Sequence, residues 1–134
     1  MPFKDNYFDL IIAENILEHL LNLMPMINEM KRLAKDKIRI GVPNALSINN
    51  RIAVLFGRNS QYGNAFSDMF NHRIYFDITR LDQFCKLFFP NFKVVKKEYA
   101  YHCKGWFIFC HLTNIYPKLF ASEIYYDLEK VNAK

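Results

Sequence analysis

The chain has 134 residues, of which 51% are hydrophobic and 16% aromatic, and its formal charge is +5. This composition excludes a disordered chain, and the length favours one domain with a buried core. The mildly basic charge permits contact with nucleic acid or anionic lipid but does not require it.

The three cysteines and the N-terminus bear on the compartment. An odd number of cysteines without a CxxC pair argues against a disulfide framework and a cysteine zinc site, and indicates a reducing environment. Lys4 and Asp5 interrupt the N-terminus before any signal-peptide apolar run. No apolar run reaches the roughly 18 residues that a transmembrane helix needs. We therefore expect a cytoplasmic protein without a transmembrane segment.

The first predicted element is a strand at residues 8–13. Leu10 to Ala13 show no polar alternation, which is typical of a strand covered on both faces in a parallel sheet. Glu14 and Asn15 follow as a polar turn. Apolar residues then recur at spacings of three and four from Ile16 onwards, which predicts helical structure.

The remaining elements alternate between helix and strand. A second helix is predicted to begin near Asn22, with Pro25 in its first turn, and a strand spans residues 37–42 before Pro43-Asn44. Further along come an irregular excursion with one short helix at 45–80, a helix at 81–89, a strand at 92–101, an apolar segment of undetermined type at 106–116, and a last strand at 122–131. This order predicts an α/β fold with a mostly parallel sheet, in which the last two strands can pair antiparallel.

Two segments carry a resemblance to a known family. Residues 2–20, PFKDNYFDLIIAENILEHL, and residues 28–44, NEMKRLAKDKIRIGVPN, resemble the fourth and fifth strands and intervening helices of class I S-adenosylmethionine-dependent methyltransferases of types 11 and 12. The run from His72 to Phe84 looks like the segment before that family's sixth strand. The resemblance implies the C-terminal half of a Rossmann-like methyltransferase sheet, with strands equivalent to 4-5-7-6 and flanking helices. It also implies that residues 1–134 are one partial methyltransferase-like domain, with its strongest match at 1–44.

Departures from the family pattern concern the cofactor. In the family, a GxGxG turn brings the backbone close to the cofactor. The sequence has four glycines, but none of them forms such a motif. The acidic residue after the family's second strand also has no counterpart, and Asp36-Lys37 replaces the usual glycine pair before the fifth strand. We expect strand 8–13 to be an exposed edge that pairs with a separate N-terminal half or with a second copy of the chain.

The resemblance implies methyl transfer from S-adenosylmethionine to a small-molecule or lipid-like acceptor, by a chain that is inactive on its own. Ligands of open α/β sheets bind beyond the carboxyl ends of the strands. By resemblance, Ala13, Glu14 and Asn15 border the cofactor, and Asn44 faces the acceptor pocket. An ordinary polar turn that starts a helix is the alternative explanation for Glu14 and Asn15.

His19 and His72 are the candidate catalytic residues. His19 is either a base or cofactor neighbour, or a histidine on a helix face. His72 belongs either to a substrate lid with Phe66 and Phe70, or to a packed junction. Some family members bind a divalent metal through an ExxEH motif and a distant histidine, but Asn15 stands at the first glutamate position here. The sequence therefore argues against a metal site.

Two other functions are compatible with the sequence. One is a non-catalytic methyltransferase-like module that pairs with a complete relative through strand 8–13 and regulates it. The other is a basic protein that binds RNA or a lipid surface through arginines of residues 51–80 and lysines of residues 93–97. The familiar nucleic-acid-binding motifs are absent from the sequence, so we do not expect a nucleic-acid partner.

Overall fold

A computed structural model of the chain describes residues 2–57, 72–101 and 107–131. The strands there are β1 (Phe8–Glu14), β2 (Ala34–Pro43), β3 (Phe92–Ala100) and β4 (Glu123–Lys130). The α-helices are α1 (Met24–Leu33), α2 (Ile48–Leu55), α3 (Ile78–Phe88), α4 (Phe107–Ile115) and α5 (Pro117–Phe120), and a 3-10 turn spans Leu17–His19.

The four strands form one mixed sheet in the order β1-β2-β4-β3. β1 runs parallel to β2, whereas β4 runs antiparallel to both β2 and β3. This confirms the predicted order of strands equivalent to 4-5-7-6, and it confirms that the last two strands pair antiparallel. The prediction of a mostly parallel sheet is wrong for the described residues, because β4 runs opposite to both of its neighbours and only the pairing of β1 with β2 is parallel. β1 and β3 are therefore the two edges of the sheet within the described residues.

Two boundaries differ from the prediction. The helical pattern that begins at Ile16 gives only the 3-10 turn, because Leu20 takes an extended backbone conformation (φ −78°, ψ 134°) that ends it. α1 then starts at Met24, whose N–H donates to Asn22 Oδ1 at 3.1 Å. At its other end α1 passes directly into β2 at Ala34, so Asp36 and Lys37 lie inside the strand and not in a turn.

The core lies on one face of the sheet. Alternate residues of β2 and β4 point to this face, since side chains along a strand alternate with a period of two. They pack beneath apolar residues of α1 and α3, and the central members are Ile38, Ile40, Val42, Ile124, Tyr126 and Leu128. α3 begins at Asp77, whose carboxylate accepts hydrogen bonds from the backbone N–H groups of Thr79 and Arg80. This cap fixes the start of the helix that covers the sheet.

The opposite face of β1 is open. Leu10 and Ile12 are 48% and 56% exposed, so the prediction that this strand is covered on both faces is wrong for the described residues. The physical reason is that α1 and α3 both pack on the other face. A strand with exposed branched apolar side chains at a sheet edge is a site for pairing with another polypeptide.

Arg39 forms ion pairs across the open face of the sheet. Its guanidinium on β2 donates to Glu14 Oε1 on β1 (2.9 Å), to Glu98 Oε2 on β3 (2.7 Å) and to Asp127 Oδ1 on β4 (2.9 Å). These bonds, the one to Glu98 first, raise the pKa of Arg39 above its ordinary value although partial burial opposes them. One side chain thus links all four strands of the sheet.

Asp82 joins α3 to the sheet. Its carboxylate accepts hydrogen bonds from Tyr126 Oη at 2.8 Å and from Lys97 Nζ at 2.6 Å. Burial opposes ionisation, but these two bonds hold the pKa of Asp82 below its ordinary value of 3.8. The ionised carboxylate therefore stabilises the folded chain.

We expect Asp82→Asn to lower the free energy of unfolding by about 1 kcal/mol at neutral pH, since asparagine still accepts from Tyr126 but has no charge for Lys97. A carboxyl group with a lowered folded-state pKa stabilises above its unfolded-state pKa of about 3.9, and this contribution disappears as the pH falls below that value. Urea unfolding at several pH values measures the difference. A difference that stays constant down to about pH 3 would contradict the assignment.

Candidate functional site

The carboxyl end of β1 is a tight polar turn. Ala13 is fully buried there, and the next side chain, Glu14, turns to the open face and pairs with Arg39. Asn15 has a positive φ of 51°, and its backbone N–H donates to the Gly41 carbonyl at 2.9 Å. Asparagine adopts this left-handed conformation more readily than other non-glycine residues. The three predicted cofactor-side residues therefore lie at one end of the sheet in a fixed turn.

Gly41 on β2 is required by the packing around this turn. A Cβ atom at this position would lie 2.8 Å from Glu14 Cγ and 2.8 Å from Tyr125 Cδ1. Glycine thus lets the Glu14 and Tyr125 side chains cross the sheet beside the carboxyl end of β1. The sequence analysis did not assign Gly41 a role, and its position opposite Glu14 in a neighbouring strand gave no local signal.

Asn44, the predicted acceptor-side residue, is only 1% exposed. Its Nδ2 donates to the Ala121 carbonyl at 2.8 Å, and its Oδ1 accepts from the Leu46 N–H at 3.1 Å. Its backbone N–H donates to the Ser122 carbonyl at 2.8 Å. Both ends of the amide are therefore occupied in holding the end of β2 against the segment before β4. In this position the side chain links the loop after β2 to the segment before β4.

Glu18, His19 and His72 form a cluster beyond the carboxyl end of β1, which we call the histidine cluster. The His19 and His72 rings lie 4.9 Å apart at an interplanar angle of 70°. His19 Nε2 lies 3.8 Å from Glu18 Oε1. The structure thus brings together the two candidate catalytic histidines, which the sequence analysis named separately.

Backbone hydrogen bonds hold His72 beside Glu18. The N–H groups of Arg73 and Ile74 both donate to the Glu18 carbonyl, at 2.6 and 3.1 Å. The chain therefore returns from residues 58–71, which lie outside the described residues, to a fixed point on the 3-10 turn. Phe66 and Phe70, predicted to form a lid with His72, belong to that undescribed segment.

Burial in the histidine cluster disfavours the charged forms of Glu18 and His72. Burial raises the pKa of Glu18 above its ordinary value, the nearby Glu123 raises it further, and a backbone hydrogen bond and His19 oppose the shift. Burial, with a smaller contribution from His19, lowers the pKa of His72. Glu18 Oε2 and His72 Nδ1 are both buried and have no hydrogen-bond partner among the described residues. Buried polar atoms without partners are rare in folded proteins and commonly mark a functional site.

Comparison with known proteins connects this end of the sheet to a family. Residues 1–39 match the family model described as a methyltransferase domain. An uncharacterized protein of Methanocaldococcus jannaschii is 49% identical over 37 residues, which are 28% of this chain and 16% of that protein. The first of these matches shows that residues 1–39 are similar to a methyltransferase domain. The matched segment of the family model contains β1, the turn at Asn15, the 3-10 turn and α1.

Two solved structures share the α/β fold of this chain. An S-adenosylmethionine-dependent methyltransferase from Archaeoglobus fulgidus aligns with 96% of this chain at a TM-score of 0.61 and 17% identity. The MccD protein aligns with 97% of the chain at a TM-score of 0.51 and 13% identity. The alignments cover 62% and 63% of those two structures, so the chain spans less than two thirds of each. At these identities the structures establish the methyltransferase fold alone.

No helix within residues 2–57, 72–101 or 107–131 is both long and apolar enough to cross a bilayer.

Proposed function

We propose that this chain is the acceptor-side half of an S-adenosylmethionine-dependent methyltransferase. A segment with a GxGxG turn, here called the glycine-rich half, completes it, whether it belongs to the same polypeptide or to another. The observation that carries this proposal is the match of residues 1–39 to the methyltransferase domain, because that segment includes β1 and the polar turn at its carboxyl end. Ligands of open α/β sheets bind at this end of the strands. The match thus includes the end of the sheet at which we propose that the cofactor binds.

Methyl transfer is an in-line displacement that depends above all on positioning of the two reactants. In the proposed arrangement Ala13, Glu14 and Asn15 form the cofactor-side border, held in place by the bond from Asn15 to Gly41. His19 and His72 lie on the acceptor side as the catalytic side chains. Asn44 shapes the acceptor pocket through its buried bonds to neighbouring loops and does not need to touch the acceptor.

Two features support the need for a glycine-rich half. The four glycines of the chain include no GxGxG arrangement, so the turn that brings backbone to the cofactor's methionine part has no counterpart here. The chain also covers only 62% of the Archaeoglobus fulgidus methyltransferase with which it aligns. Residues beyond the alignment in such a protein are the natural source of the remaining cofactor contacts.

β1 is the proposed docking edge for that half. Beside it lies an open groove of about 630 Å³ between β1 and α1. Apolar side chains line most of this groove, among them Leu10, Ile12, Ile16, Met26 and Leu33. A parallel strand of the glycine-rich half would extend the sheet at β1, and its helix would cover the groove. Association of two copies of this chain is the alternative that the experiment below distinguishes.

The acceptor and the compartment belong to the same proposal. The resemblance of residues 2–20 and 28–44 to methyltransferases of types 11 and 12 implies a small-molecule or lipid-like acceptor. Cys85 is buried and free, and burial raises the pKa of its thiol to about 12, so it is an unreactive core thiol. An unreactive free thiol together with an odd number of cysteines fits a reducing, cytoplasmic environment.

The described residues give little support to the alternative that the chain is a basic protein that binds RNA or a lipid surface. Lys96 Nζ lies 2.7 Å from Glu98 Oε1, and Lys97 Nζ lies 2.6 Å from Asp82 Oδ1. These ion pairs offset two of the lysines on which such a surface would depend. No observation on the described residues favours RNA or lipid binding over methyl transfer.

Co-expression tests the proposal. DNA upstream of residue 1 and in neighbouring genes is translated in all frames, and any segment with a strand followed by GxGxG is co-expressed with this chain. We expect a stoichiometric heterodimer in light scattering after co-purification. Absence of such a segment from the genome, or a chain that forms only homodimers in its presence, would contradict the proposal.

A further inference from the structure

We propose that the histidine cluster of Glu18, His19 and His72 binds one divalent transition-metal ion of the Zn²⁺ class. This inference concerns the cluster alone. It stands on the arrangement of its three side chains, and it does not depend on the methyl transfer proposed above.

The first support is convergence of ligand atoms from separate parts of the chain. One carboxylate oxygen and one imidazole nitrogen from each histidine all lie within 4.8 Å of one another. Zn²⁺ with such ligands at about 2.1 Å in tetrahedral geometry separates them by about 3.5 Å. Rotations of the side chains that close the cluster by about 1 Å would therefore seat an ion.

The second support is the state of the buried atoms. The Glu18 side chain is 1% exposed, yet within residues 2–57, 72–101 and 107–131 its Oε2 has no hydrogen-bond partner, and neither has the buried His72 Nδ1. A buried carboxylate without a compensating charge is costly, and a bound cation supplies that charge. A neutral imidazole nitrogen without a donor is a ready metal ligand. One ion would satisfy both orphaned atoms.

The third support is rigidity. Glu18 and His19 are adjacent in the 3-10 turn, and the two backbone bonds from residues 73 and 74 to the Glu18 carbonyl hold His72 against it. Because the main chain that carries the ligands is already fixed, metal binding requires only side-chain rotations and loses less conformational entropy.

The ligand set selects the type of ion. Two imidazoles and one carboxylate suit Zn²⁺ and neighbouring transition metals, whereas Mg²⁺ and Ca²⁺ prefer oxygen ligands only. Three protein ligands leave a fourth tetrahedral position open. His19 is exposed, so solvent reaches at least one member of the cluster.

The test uses the full chain, treated with chelator and then titrated with Zn²⁺ by calorimetry and with Co²⁺ by visible absorption. We expect one ion per chain, a Zn²⁺ dissociation constant in the micromolar range or below, and the intense absorption of tetrahedral Co²⁺. Glu18→Gln and His72→Ala should each weaken Zn²⁺ binding by at least about 100-fold, more than loss of an outer-shell partner does.

His111→Ala is the matched control, since His111 is an exposed histidine on α4 outside the cluster. It should leave Zn²⁺ affinity unchanged. Far-ultraviolet circular dichroism checks each variant, and the near-isosteric Glu18→Gln decides the question if His72→Ala is unfolded. Equal Zn²⁺ affinity in the unchanged chain and Glu18→Gln, or Mg²⁺ binding as tight as Zn²⁺ binding, would overturn the proposal.

Discussion

The double substitution Leu10→Lys and Ile12→Lys should leave the chain folded and abolish its association with the glycine-rich half. Both side chains are about half exposed on the open face of β1, so their replacement costs the isolated chain only about 0.5 kcal/mol or less. Lysines on an edge strand oppose pairing with a second polypeptide, because their charges cannot be buried in the new interface. We expect the dissociation constant, measured by calorimetry, to rise at least about 100-fold.

Val95→Lys is the matched control for this experiment. Val95 is 48% exposed, as Leu10 is, but it lies on β3 at the other edge of the sheet. The control variant should bind the glycine-rich half as tightly as the unchanged chain. Equal binding by the double variant, or equal weakening by Val95→Lys, would show that β1 is not the docking edge.

Tyr126→Ala should bring the chain close to complete unfolding. The Tyr126 side chain is fully buried in the centre of the core on β4, and its hydroxyl donates to Asp82 at 2.8 Å. Removing a buried aromatic side chain leaves a cavity and costs about 3–5 kcal/mol. That is a large share of the roughly 5–15 kcal/mol by which domains are stable. Urea unfolding monitored by circular dichroism measures the loss.

Two companion variants separate the causes. Tyr126→Phe keeps the ring and loses only the hydrogen bond, so we expect a loss of about 1 kcal/mol. Tyr125→Ala removes the neighbouring ring on the open face, where it stacks beneath Arg39 at 5.1 Å, and should cost less than Tyr126→Ala. If Tyr125→Ala proved as damaging as Tyr126→Ala, the core would not lie on the face assigned here.

The strand order was predictable from the sequence, but the coverage of β1 was not. Residues 2–20 and 28–44 carry the resemblance that implies the order, and their apolar runs gave β1 and β2 in the correct succession. The apolar run at Leu10 to Ala13 indicates only that a strand suits burial, not whether a helix lies on each face. The early start of β2 was missed because Lys35 and Asp36 are exposed and charged within the strand.

The candidate site was predictable residue by residue but not as a cluster. Both histidines stood out from the sequence, yet the excursion at 45–80 has no periodicity that fixes where His72 returns. Two backbone bonds to the Glu18 carbonyl determine its position, and backbone bonds between distant segments leave no mark on side-chain patterns. The proposed metal site departs from the sequence expectation, which considered a motif with a glutamate at position 15. The cluster has three ligands without that position.

Calorimetry with S-adenosylmethionine tests the central claim most directly. The folded chain is titrated alone and then as the purified complex with its glycine-rich half. The account predicts no measurable binding to the chain alone, because it has no GxGxG turn, and micromolar binding to the complex. Micromolar binding of S-adenosylmethionine to the chain alone would contradict the account, since the 134 residues would then contain a complete cofactor site.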